Sequence, residues 1–388
     1  MWYSDKAAHR EIQSGIERIC QDFGDDYWLQ KDQEGSFPHE FHRAIAAAGW
    51  LGIAMPEQYG GSGLGITEAA IMMRAVSQSG AGMSGASAVH MNIFGLQPVV
   101  VFGTADQQAR MLPPLIRGEE KACFAVTEPD AGLNTTQIKT RAERVGDHYR
   151  ITGQKIWIST AQVADKALIL ARTGAAGQGR GKISGLSLFY TALDRSSIEI
   201  REIHKMGRAA VDSNMLFFDG MQVPAQDLIG EEGAGFKQIL HGLNPERILI
   251  AAEAVGLGHA ALRKASAYAR ERTVFAHRIG AYQAIQHPLA KCWMNLEAAW
   301  LMVMRAAELY DAGNECGAEA NSAKYLAAES AFAACEAAIL THGGMGYSAE
   351  YHVERYLRES WIPRIAPVSA QMIMNFISEK VLDLPRSY

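Results

Sequence analysis

The sequence predicts an α+β fold with an N-terminal α-helical domain, a central β-domain and a C-terminal α-helical bundle. Apolar residues recur at helical spacing up to about residue 120, alternate at strand spacing to about 225, and return to helical spacing after Pro224. The expected domains are therefore residues 1–120, 121–225 and 226–388. A chain of 388 residues with 48% hydrophobic content can bury cores large enough for two or three domains.

In the first part, Ile12, Ile16 and Ile19, then Phe41, Ile45 and Ala48, repeat every three or four positions and predict helices. The run Tyr59-Gly60-Gly61-Ser62-Gly63 reads as a turn. It lacks the Gly-Lys-Ser/Thr ending of a phosphate loop and follows no βαβ unit. In the second part, residues 123–127 form a strand that Glu128-Pro129-Asp130-Ala131-Gly132 breaks. A further strand at 149–152 leads through Gly153 into 154–159, where a period of two puts Trp157 and Ser159 on one face. An indole beside a hydroxyl suits a flat heteroaromatic ring, and equally an ordinary β-core with one tryptophan. Strands at 167–171, 185–190 and 215–218 complete the domain, and the loop 174–185, with five glycines, Arg180 and Lys182, is expected to be mobile. In the third part, Ile285, Leu289, Trp293, Leu296, Trp300 and Met304 mark one helix, and the alanine-rich stretch 318–338 carries apolar stripes that leave faces for subunit association.

The formal net charge of −5, with no long basic block, speaks against a nucleic-acid surface. Five scattered cysteines without a CxxC pair fit reduced thiols and a cytoplasmic location. The first residues lack a basic region followed by an apolar run, and no uninterrupted apolar stretch is long enough for a bilayer, so no membrane insertion is expected. No His-Glu-x-x-His pattern is present, and no metal is expected.

The segment Thr127-Glu128-Pro129-Asp130-Ala131-Gly132, followed by Trp157-Ile158-Ser159, resembles the acyl-CoA dehydrogenase family, whose members hold FAD on a central β-domain with these motifs. Further matches follow in order along nearly the whole chain: Pro56-Glu57-Gln58-Tyr59-Gly60-Gly61, Lys205-Met206-Gly207, Glu271-Arg272 with Phe275, Gln283-Ala284-Ile285-Gln286 and Gly343-Gly344-Met345-Gly346-Tyr347. The resemblance implies a homotetrameric oxidoreductase of fatty acid metabolism. It would take an acyl-CoA to the trans-2-enoyl-CoA and pass electrons to an electron-transfer flavoprotein. It places Phe124, Val126, Thr127, Trp157 and Ser159 along the flavin ring, and Arg272, Phe275 and Gln283 against the FAD of a neighbouring subunit. Gly343, Gly344, Ser369 and Gln371 would reach the pyrophosphate and adenosine end, and His90, Asn92 and Phe94 would line the acyl pocket. One departure is Gly132-Leu133-Asn134, where the family commonly has Gly-Ser-Asp, so a hydroxyl contact is missing.

Removing the α-proton of a thioester needs a carboxylate. Many relatives carry it near the C-terminus, where this chain has Pro367, which also lacks the N–H that would polarise the thioester carbonyl. Isovaleryl-CoA and long-chain relatives carry it on an earlier helix before an arginine, and Glu246-Arg247 matches that place, with Arg247 near the acyl group. Burial beside an acyl chain would raise the Glu246 pKa toward that of a general base. Asn244-Pro245-Glu246 reads equally as N-cap, N1 proline and first-turn acid. Without the usual base, an oxidase, a monooxygenase or an inactive flavoprotein on the same fold are the alternatives.

Overall fold

The computed structural model describes residues 7–174 and 185–387; the loop expected at 174–185 lies, apart from its two ends, outside the described residues. Helices come first: α1 (Ala7–Cys20), α2 (Asp25–Glu34), α3 (His39–Ala47), α4 (Ile66–Val76), α5 (Gly82–Phe94), α6 (Gln97–Phe102) and α7 (Ala105–Ile116). Strands follow: β1 (Ala122–Ala125), β2 (Arg141–Val145), β3 (His148–Ser159), β4 (Lys166–Arg172), β5 (Leu186–Ala192), β6 (Ile198–Glu202), β7 (Ser213–Pro224) and β8 (Leu228–Ile229). They form one mixed sheet in the order β6-β7-β3-β2-β4-β5-β8, with β1 parallel to β4. The chain then returns to helix with α8 (Gly235–Glu271), a hairpin of β9 (Thr273–Val274) and β10 (His277–Arg278), α9 (Gln283–Asp311), α10 (Gly317–His342), α11 (Val353–Glu359), α12 (Ile362–Ile365) and α13 (Ala370–Lys380).

The two helical parts share a core. Ile71, Met72 and Val76 of α4 pack with Leu249 and Val255 of α8 and with Trp300 and Met304 of α9. Close contact is built in, because a Cβ at Gly256 would stand 2.4 Å from the Arg74 carbonyl oxygen. The first amides of α4 are capped from the far end of the chain, with Ile66 and Thr67 N–H donating to the Asp311 carboxylate at 2.8 and 2.9 Å. By length and composition alone the helical run 66–102 would pass for a bilayer-crossing helix, but 67% of its most apolar window is buried inside the fold. All five cysteines are buried and unpaired.

Two local expectations change. Asn244-Pro245 does not start a helix: Pro245 lies inside α8, which began ten residues earlier at Gly235, so Glu246 is an interior helical residue. The stripe on α9 is buried at Leu296, Trp300 and Met304 and partly at Leu289, but Trp293 is 55% exposed and falls off the buried face.

One buried cation holds the sheet where β1 ends. Lys155 is fully buried, and its ammonium donates to the carbonyls of Val126 (3.0 Å) and Leu170 (2.7 Å) and to Glu128 Oε1 (2.9 Å), one acceptor for each proton. Glu128 in turn accepts from the amides of Lys139 (2.6 Å) and Thr140 (3.0 Å). Burial draws the Lys155 pKa down to about 8 against the pull of Glu128. Removing one member of such a pair leaves an uncompensated buried charge, so Glu128→Gln should cost about 3–5 kcal/mol. Chemical denaturation checks this, and the double variant with Lys155→Met should recover part of the loss.

Candidate active site

The sheet presents Trp157 and Ser159 together, through a bulge and not through plain alternation. Pairing of β3 with β7 slips between Lys155 and Ile158, and Trp157 takes a left-handed φ of 63°. Ile158 turns into the core, while the Trp157 indole stands 57% exposed and Ser159 is half-buried. The Thr127 carbonyl accepts from Ile156 N–H (2.9 Å), which brings the turn beside this strand. Val126 is buried, its carbonyl taken by Lys155. Phe124 lies at the inner end, its ring 5.8 Å from that of Phe94.

Beside Phe94 and Phe124 runs a tight apolar cleft, continued by Gly95, Pro98, Ile239, Gly242 and Leu243, that leaves no room for a water molecule. On α8, Glu246 and Glu253 are seven residues apart, two turns, and so share a face. His90 on α5 packs at 4.7 Å against Phe94, and its Nδ1 is 2.5 Å from Glu253 Oε1, which makes Nδ1–H the donor to a buried carboxylate. Burial opposes the imidazolium, but the Glu253 carboxylate outweighs it and raises the His90 pKa, with Glu246 adding to the effect.

Glu246 differs from its neighbours. Its Oε2 is buried and has no hydrogen-bond partner among the described residues. Burial pushes its pKa up to about 7, opposed by His90, Arg247 and Lys324 and reinforced by Glu253. Arg247 Nη1 donates to Asn244 Oδ1 at 2.9 Å, while Lys324, on α10, donates to the Val368 carbonyl beside Pro367 at 2.5 Å. Burial lowers the Lys324 pKa to about 8.

Not every expected residue joins this cluster. Asn92 is buried and its amide donates to the Leu115 carbonyl at the end of α7 (3.3 Å). Arg272, Phe275 and Gln283 are exposed at the β9–β10 hairpin and the start of α9. Phe275, 88% exposed, and Ala276 both have positive φ, as a two-residue hairpin turn of the primed type requires, so the turn holds the phenyl ring outward. Gly343 caps α10 at φ 59°, and a Cβ on either Gly343 or Gly344 would meet nothing within 4 Å. Ser369 is the N-cap of α13 and accepts from Met372 N–H (3.4 Å); Gln371 is exposed one residue into that helix. Asn134 accepts from the Thr136 hydroxyl (2.6 Å), and Leu133 is exposed.

The sequence reading missed several charges beside the site, among them the buried Lys155, Glu253 and Lys324 and the half-buried Arg208. Lys155 occupies the inward phase set by Tyr149 and Ile151, and Glu253 is the lone acid in the apolar run 248–257, so both carried a signal. Arg208, whose Nη2 donates to Ser159 Oγ at 2.9 Å, follows no periodic pattern.

Three family models match consecutive parts of the chain: the acyl-CoA dehydrogenase N-terminal domain over residues 6–119, the middle domain over 123–221 and the C-terminal domain over 233–382. The chain is 37% identical to the acyl-CoA dehydrogenase FadE12 of Mycobacterium tuberculosis over 391 aligned residues, covering 100% of this chain and 99% of that one. It is 36% identical to benzylmalonyl-CoA dehydrogenase of Aromatoleum aromaticum, covering 90% and 91%. The solved structure of butyryl-CoA dehydrogenase from Megasphaera elsdenii superposes with a TM-score of 0.89 at 28% identity, covering 96% and 98%.

The cluster makes a prediction independent of any ligand. Replacing His90 by Gln removes the strongest cationic influence on Glu246, so the Glu246 carboxyl should titrate above its parent value of about 7. Infrared difference spectra of the carboxyl band against pH would read the shift.

Proposed function

The chain belongs to the acyl-CoA dehydrogenase family, an FAD-dependent oxidoreductase family, and we propose that it desaturates an acyl-CoA between its α and β carbons with Glu246 as base. One observation supports this most: a carboxylate on the interior of α8, beside an apolar cleft, with a buried oxygen left unpartnered and a pKa brought to about 7. A first-turn acid stabilised by a helix dipole would have its pKa lowered, and the position inside α8 removes that reading.

The residues present fit FAD. Trp157 offers an exposed aromatic face, Thr127 and Ser159 offer hydroxyls beside it, and Gly343 and Gly344 leave backbone open for close approach. Bound FAD supplies the acceptor for the hydrogen and electron pair that leave the β-carbon. Glu246 takes the α-proton on Oε2, the apolar walls of Phe94, Phe124 and Leu243 exclude water, and Arg247 and Lys324 steady the negative charge of the ionised base. Pro367 brings no N–H to the thioester, and Lys324, anchored on the Val368 carbonyl, is the cation on that flank.

The cleft is narrow, and His90 adds a polar group beside it, so the preferred acyl group is compact, branched or functionalised in preference to a long straight chain. Arg272, Phe275 and Gln283 stand exposed, and the solvent-facing Trp293, Met294 and Leu301 on α9 continue an apolar surface. These support a homotetramer in which one subunit's hairpin covers its neighbour's FAD, with an electron-transfer flavoprotein as the physiological acceptor. Arg272→Glu should then lower FAD occupancy and weaken assembly together, read by absorbance and light scattering.

Anaerobic titration with a panel of straight, branched and aromatic acyl-CoAs tests the activity. Bleaching of the flavin by at least one thioester is expected, and Glu246→Gln should slow it about 10²- to 10⁴-fold while FAD and ligand still bind. The base acts ionised, so the parent's rate should fall about tenfold per pH unit below about 7 and level off above it. Bleaching at the parent's rate by the Gln variant would remove Glu246 from the role.

A further inference from the structure

Arg208 sits where the β-domain meets α5 and has no acid within ion-pair distance among the described residues. Its Nη1 donates to Ser87 Oγ (3.1 Å), and its Nη2 to Ser159 Oγ (2.9 Å) and Ser213 Oγ (3.2 Å). Its Nε is buried and has no hydrogen-bond partner among the described residues. The other buried or half-buried arginines nearby behave differently, since Arg355 pairs with Glu359 at 3.2 Å, and Arg358 with Asp32 and Glu354, both at 2.6 Å. Those are architectural ion pairs. Arg208 as a whole is half-buried, and the acids that act on it, Glu359, Glu253 and Asp212, do so from a distance, so its direct contacts are three neutral hydroxyls that only partly offset the cost of desolvating a guanidinium. The backbone at Arg208 also takes a φ of 58°, a region a non-glycine residue seldom enters, and Gly207 is pressed against the Arg358 backbone, where a Cβ would come within 2.8 Å.

A guanidinium has no acceptor, so each serine oxygen accepts and keeps its own O–H free to donate elsewhere. Ser159 is the residue expected to face the flavin ring, and its hydroxyl proton is therefore available on the open side of the platform. We propose that Arg208 is a positioning residue for the cofactor: it commits the Ser159 hydroxyl to donating toward the FAD ring, and its unpaired charge stabilises the negative charge gained on reduction. This rests on the placement of FAD against Ser159 given above. No acid touches the guanidinium at rest among the described residues, and a negative charge gained by the cofactor on reduction would lie closer to it than the carboxylates of Glu359, Glu253 and Asp212, which makes the charge useful in the reduced state.

The test is spectroelectrochemical titration of the FAD-loaded, substrate-free protein. Arg208→Gln keeps donors for the serines without the charge, and Arg208→Lys keeps the charge. In Arg208→Gln the reduced state should be at least tenfold less favoured relative to the oxidised, a fall in midpoint potential of about 30 mV or more for the two-electron couple. Arg208→Lys should retain most of the parent potential, and Ser159→Ala should lower it. An unchanged potential in Arg208→Gln beside a shift in Ser159→Ala would overturn the role of the arginine alone. No shift in either would overturn the placement of FAD against Ser159, and the proposal with it. Equal falls in Arg208→Gln and Arg208→Lys would mark the arginine as merely structural and overturn it as well.

Discussion

The geometry of the site depends first on one buried ion pair, Lys155 with Glu128. Strand β1 ends at Ala125, and the chain must turn at once with its carbonyls exposed to a dry interior. A water-filled end would leave this edge mobile. The Lys155 ammonium instead ties together Val126 beyond β1, Leu170 on β4 and Glu128 in the turn, while Glu128 holds the amides of Lys139 and Thr140 on the way into β2. Three segments distant in sequence are thus fixed by groups with exact matching valence: three protons, three acceptors. The bulge that turns Trp157 outward begins at Lys155 itself, so the pin and the platform are two consequences of one residue.

The second constraint is α8. A continuous helix keeps Glu246, one turn beyond the cleft residue Leu243, in fixed relation to Glu253, which grips His90, and it is itself held against α4 through Gly256. The Asp311 cap then joins α4 to the end of α9. Each of these contacts connects residues more than 150 positions apart, and together they leave little freedom for the wall that carries the candidate base. The β-domain supplies the opposite wall through Phe124, which packs with both the helical core and the core beneath the sheet.

How much of this was legible depended on whether the controlling force leaves a period. Helices with buried stripes, such as α1 and α9, and strands β4, β5 and β7 do, and the sequence pattern located them. The sequence put Trp157 and Ser159 on one face by period alone, and the bulge before Ile158 is a backbone event without a sequence period. The start of α8 was misjudged because its first turns contain Gly235 and Gly242 and bury few large side chains, so Asn244-Pro245 supplied the strongest local boundary signal. The partner of Asn92, the Leu115 carbonyl, belongs to another helix, and no local pattern announced it. The departure at Pro367 was visible from the resemblance alone; what stands near it, Lys324 on α10, required the fold.

The treatment of buried acids separates architecture from chemistry. Glu128 accepts from two amides and an ammonium; Glu359 accepts from Met83 and Ser84 amides, the Ser84 hydroxyl and Arg355; Glu253 takes the imidazole of His90. Each is satisfied by several donors or by a cation in direct contact, as a buried carboxylate must be if it is to be kept ionised for structural reasons. Glu246 has cations that act from a distance and, among the described residues, an Oε2 with no donor. A fold able to satisfy three buried acids in the same region could have satisfied a fourth, or replaced it with an apolar residue to match the cleft. A carboxylate left short of donors is easier to protonate, and that is the property a proton acceptor at neutral pH requires.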